Sequence, residues 1–106
     1  MSENASVISP VGRIDAATAP SLENELSGAI EKGDREIVVD LSSVEYISSA
    51  GLRALLATLK RVKALEGNLV LCSLHPYVKE VFDMTGFSRI FTICNSKEEA
   101  IRSLGC

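Results

Sequence analysis

No stretch of this sequence concentrates positive charge: its 11 lysines and arginines are scattered among 14 acidic residues, for a net charge of -3. A face that tracks a phosphate backbone needs clustered cations, so nucleic acid is not an expected partner. Long apolar runs are missing too. None approaches the roughly 20 residues that cross a bilayer, and the opening MSENAS carries neither the basic nor the apolar region of a signal peptide. The expectation is a cytoplasmic protein with no membrane partner. Cys72, Cys94 and Cys106 are odd in number and lack the paired C-x-x-C spacing of a zinc or redox site. They read as free thiols, the first two as small hydrophobes within apolar runs and Cys106 as an accessible terminal thiol. No metal and no cofactor is expected.

Catalytic machinery is equally sparse. His75 is the only histidine and is followed by Pro76, which marks a loop residue rather than a base serving a nucleophile. Neither a G-x-S-x-G elbow nor a G-x-x-x-x-G-K-[ST] phosphate loop occurs. Asp15 and Asp40 stand near strand ends, where α/β folds hold ligands, but an isolated carboxylate there more often forms a turn. The chain is therefore not expected to be an enzyme, and no residue is assigned a catalytic role.

The sequence does contain a regular alternation of strand and helix. With 106 residues, 46% of them hydrophobic, it has the size of one domain with one core, spanning residues 1–106. Residues 7–11 read as a short strand, with Pro10 marking an edge or bulge and Gly12 turning the chain. Thr18 as N-cap and Pro20 in the first turn open a helix whose inner face is Leu22, Leu26, Ala29 and Ile30, stopped by Gly33. The β-branched run at 37–41 has the pattern of a central strand covered on both faces. A helix over about 49–66 carries Leu52, Leu55, Leu56, Leu59 and Val62 on one face and ends at Gly67-Asn68. A strand at 69–73, a helix from Pro76 to Gly86, a strand at 90–93 and a last helix capped by Asn95 or Ser96 follow. The expected fold is α/β, a mostly parallel central sheet with about four helices and right-handed crossovers.

The most informative segment runs from Asp40 to Leu56: a buried strand, then a hydroxyl-rich turn, then directly the long helix. Ser48 and Ser49 fall at the helix N-terminus, where backbone N–H groups are free and the dipole is positive. A phosphate there would be held rather than repelled. The plain alternative is that the serines only cap the helix. Ala50, Ala54 and Ala57, with Arg53 and Arg61, lie off the leucine stripe and form a flat small-residue surface. Gly51 permits close backbone approach or serves packing.

Four blocks, Gly12-Arg13-Ile14-Asp15 with Thr18-Ala19-Pro20, the 37–41 strand, Tyr46-Ile47-Ser48-Ser49-Ala50-Gly51-Leu52 and the run from Val78 to Phe87, resemble in order and spacing the STAS domain of bacterial anti-sigma-factor antagonists. The resemblance covers nearly the whole chain. It implies an unphosphorylated protein that binds an anti-sigma factor, itself a serine kinase, and thereby frees a sigma factor. Phosphorylation ends the contact, and a serine phosphatase restores it. Laid on the family's D-S-[ST]-G-L pattern, the acceptor is Ser49, with Ser48 as the second candidate. Ser48 stands where the family has Asp, and Ala50 replaces its second hydroxyl residue. The partner-binding residues implied are Asp15, Ser48, Ser49, Ala50, Gly51, Arg53 and Ala57. The competing expectation is a STAS scaffold or transporter-associated module in which Ser49 is only a cap. The family usually has one more strand ahead of residue 7, for which the N-terminus leaves little room.

Overall fold

The computed structural model describes residues 5–104. In chain order the elements are β1 (Ala5–Ile8), β2 (Gly12–Ile14), α1 (Ala19–Glu31), β3 (Glu36–Asp40), β4 (Val44–Ile47), α2 (Ser49–Ala64), β5 (Asn68–Cys72), α3 (Pro76–Thr85), a 3-10 turn at Phe87–Arg89, β6 (Thr92–Cys94) and α4 (Lys97–Ser103). The four-stranded sheet has the order β1-β3-β5-β6, every neighbouring pair parallel. β2 and β4 form a separate parallel pair.

β3 and β5 are central, and their alternation divides the core. Ile37, Val39, Leu69 and Leu71 point to the face covered by α1, α2 and α3, where Leu26, Leu55, Val62, Val78 and Phe82 fill the interior. Val38, Val70, Cys72 and Cys94 point to the other face, under Ala100 and Leu104 of the C-terminal segment. Apolar residues on both faces of β3 produce the unbroken run in the sequence.

Three elements depart from the sequence expectation. The strand expected at 7–11 is two strands, Ala5–Ile8 and Gly12–Ile14, and Gly12 begins the second rather than turning the chain. With a φ of 88° it takes a left-handed conformation and donates its N–H to Ser43 O at 2.8 Å. The hydroxyl-rich turn before α2 contains a strand, Val44–Ile47, whose end residues are buried while Glu45 is exposed. The last strand is Thr92–Cys94 rather than 90–93, because the turn at Phe87–Arg89 uses up the preceding chain and leaves Ile90 exposed. Phe82, Phe87 and Phe91 pack there edge-on and stacked, with centroids 5.8–6.5 Å apart. The expectation for Cys106 lies outside the described residues, and of the stretch ahead of residue 7, where the family has one more strand, residues 5 and 6 belong to β1 while the rest lies outside the described residues.

Candidate functional site

The first turn of α2 is held from below by the β2–β4 pair. Ser48 N–H donates to Ile14 O at 2.8 Å, which ties the helix entry to the end of β2. Ser48 is the N-cap in an extended conformation, and its Oγ accepts the Gly51 N–H at 3.4 Å while its carbonyl accepts Leu52 N–H at 3.0 Å. The capping role therefore belongs to Ser48, which is half-buried. Ser49 is the first helical residue and is exposed, and its hydroxyl is bonded to none of the described residues. The two serines thus have different environments, one committed to the fold and one free.

Gly51 is buried against the same strand pair. A Cβ there would lie 2.7 Å from Ile14 Cγ2 and 2.8 Å from Ile47 Cγ1, so packing beneath the site accounts for this glycine. It supports the surface without forming part of it.

Asp15 sits one residue beyond the Ile14 carbonyl that fixes Ser48. Its Oδ1 accepts the N–H groups of Ala17 at 3.0 Å and Thr18 at 3.2 Å, and its Oδ2 lies 4.0 Å from Arg13 Nε. The Thr18 N–H, followed by that of Ala17, holds its pKa below the ordinary carboxylate value against partial desolvation. Thr18 occupies the N-cap position of α1 but makes no capping bond with its side chain. Its hydroxyl instead accepts Asp15 N–H and donates to Arg13 O, both at 2.8 Å. Asp40, the other strand-end acid, accepts Ser42 N–H at 3.0 Å and so shapes the following turn. His75 is the N-cap residue of α3, with Nε2 2.8 Å from Ser42 O, and ties that turn to α3.

The small-residue surface is not flat as the helix pattern suggests. Ala54 is only 5% exposed and faces residues of α1, and Thr58, 6% exposed, donates its hydroxyl to Ala54 O at 2.9 Å. Arg61 is engaged with α1, donating to Ser27 Oγ at 3.0 Å and lying 4.0 Å from Glu31. Periodicity within α2 cannot reveal this, because it depends on where α1 lies. What remains is a groove of about 360 Å³ between the two helices, lined by Ala16, Ala19, Pro20 and Glu23 on one side and Ala50, Arg53, Ala54 and Ala57 on the other. Ala50, the residue after Ser49, is part of its lining. Arg53 and Ala57 are exposed, and Ala50 is half-buried. Ala50, Arg53 and Ala57 therefore line the groove along α2, while Ser48 and Ser49 stand at the start of that helix next to Ile14 and Asp15, with Gly51 packed beneath.

Two features had no signal in the sequence. Glu23 lines the groove from α1, as Arg53 does from α2. Arg13 lies 4.2 Å over the ring of Tyr46, which stacks on Tyr77 at 6.4 Å, so that β2, β4 and α3 contribute to one cation–aromatic ladder at the margin of the site. Among the described residues no helix is long and apolar enough to cross a membrane.

Comparison with known proteins agrees with this architecture. A Bordetella bronchiseptica protein named as a candidate anti-sigma factor antagonist, BtrV, is 47% identical over 89 residues, which is 84% of this chain and 77% of that protein. The crystal structure of an anti-sigma factor antagonist from Mycobacterium paratuberculosis superposes with a TM-score of 0.89 at 28% identity, covering 98% of this chain and 88% of that one. A candidate antagonist from Thermotoga maritima gives a TM-score of 0.91 at 24% identity, with 98% and 90% coverage, and bears on the fold alone. The STAS domain family model matches residues 1–100, and with the parallel sheet and helix order described above, the chain belongs to the STAS domain family.

Proposed function

We propose that this protein is a cytoplasmic anti-sigma factor antagonist, a binding switch and not an enzyme. Unphosphorylated, it binds an anti-sigma factor that is also a serine kinase and so releases a sigma factor. Phosphorylated on Ser49, it lets go, and a serine phosphatase resets it. The observation that carries this reading is the division of labour at the helix start: Ser48 caps the helix, leaving the exposed Ser49 hydroxyl without a structural duty. The antagonist names of relatives such as the 47%-identical Bordetella protein support the same role.

Phosphate adds about -1.5 to -2 charges at neutral pH. At the first turn of α2 it meets free amides and the positive dipole end, and that turn contains no acidic residue, so the fold tolerates it. A partner docked on Asp15, Ser48, Ser49, Ala50, Arg53 and Ala57 meets the dianion at a desolvated contact and is repelled. The test is incubation with ATP and the cognate anti-sigma kinase, followed by peptide mass spectrometry. Phosphate on Ser49 supports the switch; an unmodified chain that still binds its partner removes it. The second reading, a STAS scaffold module without a phospho-switch, is favoured by one observation: Ser48 stands where the family pattern has an acid.

A further inference from the structure

We propose that Arg53 is the built-in counter-ion of a phosphate on Ser49, so that phosphorylation both adds charge and draws Arg53 out of the groove between α1 and α2. This rests on the reading of Ser49 as the modified residue. Ser49 and Arg53 are four residues apart on α2 and both are exposed, so they are neighbours on one helix face. The negative group lies N-terminal to the cation, which is the better of the two orientations for such a pair.

The surroundings leave this arginine available. Among the described residues no hydrogen bond or ion pair occupies its guanidinium, and the first turn of α2 has no acidic residue to compete with a phosphate. The other arginines around the site are engaged: Arg13 over Tyr46 and beside Asp15, Arg61 on Ser27 and near Glu31. Glu23 is the one carboxylate in the lining of the groove that Arg53 also lines. A guanidinium presents a planar fork that matches two phosphate oxygens, which a lysine ammonium does not reproduce. The phosphoryl group comes from ATP: Ser49 Oγ loses its proton to solvent and gains the P–O bond as ADP leaves. Arg53 then closes on the product rather than taking part in the transfer.

The experiment uses full-length protein with phosphoserine installed at position 49 during translation, so that no kinase is needed. Phosphorus NMR follows the second phosphate ionisation, which lies near pH 6 for a free phosphoserine. The expected result is a midpoint lower in the parent than in Arg53→Ala by roughly 0.3 pH unit, with Arg53→Lys between them and Glu23→Gln at or below the parent. An identical midpoint in the parent and Arg53→Ala overturns the proposal. Circular-dichroism melts of the unphosphorylated variants, expected to match the parent, separate this effect from misfolding. The two claims fail separately. A kinase that ignores Ser49 defeats the switch but leaves this pair intact, whereas equal midpoints in a phosphoprotein that still releases its partner defeat only the pair.

Discussion

The same substitution, glycine to alanine within a helix, should have opposite effects at two positions of this fold. In a helix interior the change contributes about 0.5–1 kcal/mol of stability, because the unfolded chain loses freedom that glycine would retain. At Gly28, in α1, nothing lies within 4 Å of the added methyl, so the gain should be realised. At Gly51 the methyl would fall 2.7 Å from Ile14 Cγ2 and 2.8 Å from Ile47 Cγ1, both attached to buried side chains that cannot swing into solvent. Overpacking of this kind costs about 1–3 kcal/mol, and contacts this far under 3.0 Å on two side chains put Gly51 in the upper part of that range, above the helix gain. At about 4 °C per kcal/mol for a domain of this size, Gly28→Ala should raise the melting temperature by about 2–4 °C and Gly51→Ala, at a net loss of about 1–2.5 kcal/mol, should lower it by about 4–10 °C. Thermal melts followed at 222 nm, with urea titrations alongside, measure both. Shifts of the same sign would show that helix propensity rather than the fit on Ile14 and Ile47 decides at Gly51. Because that fit positions Ser48 and Ser49, Gly51→Ala should also weaken partner binding more than Gly28→Ala does.

Gly67→Ala should be more damaging than either, since its Cβ would lie 2.1 Å from the Arg35 carbonyl oxygen, the same oxygen that accepts Asn68 N–H at the start of β5. Backbone cannot yield as a side chain does, and a loss of about 2–4 kcal/mol in urea unfolding is expected. Leu55→Ala should cost about 2–5 kcal/mol, and Leu56→Ala clearly less, because Leu55 is fully buried whereas Leu56 is half-buried; matching losses would mean the helix is rotated from the orientation described. Removing the hydroxyl with Thr18→Val should raise the pKa of Asp15 toward its ordinary value, read by carbon NMR of the carboxyl. Asp15 has a depressed pKa in the folded state, so its contribution is present above the unfolded carboxylate value and lost as pH falls through the folded one. The variant should therefore lose less stability than the parent on acidification.

Much of this was legible in the sequence where a local rule and the tertiary structure agree. Pro76 and Gly86 bracket α3 as expected, with Gly86 at a left-handed φ of 82°. Ser96 accepts Glu99 N–H while Glu99 Oε1 accepts Asn95 N–H, so the charged start of α4 is set by its own side chains. β4 was hidden because its four residues read as part of a polar turn, and its pairing strand β2 lies thirty residues earlier in the chain. The helix start at Ser48 and Ser49 was visible, but which serine caps could not be read from spacing. It follows from the extended conformation of Ser48 and its bond to Ile14, a contact made by the fold. The same holds for Ala54 and Arg61, whose surface appearance in a helix pattern gives way once α1 packs alongside.

Whether Ser49 is a switch separable from the fold is decided by calorimetric titration of the anti-sigma factor into the unphosphorylated protein, the Ser49 phosphoprotein and Ser49→Ala, with a melting curve for each. Melting temperatures should agree within about 2 °C, the equivalent of the 0.5 kcal/mol typical of surface changes, with binding by the unphosphorylated protein and by Ser49→Ala and loss of binding by the phosphoprotein alone. A phosphoprotein that binds as tightly as the parent, or one that has simply unfolded, would contradict the switch.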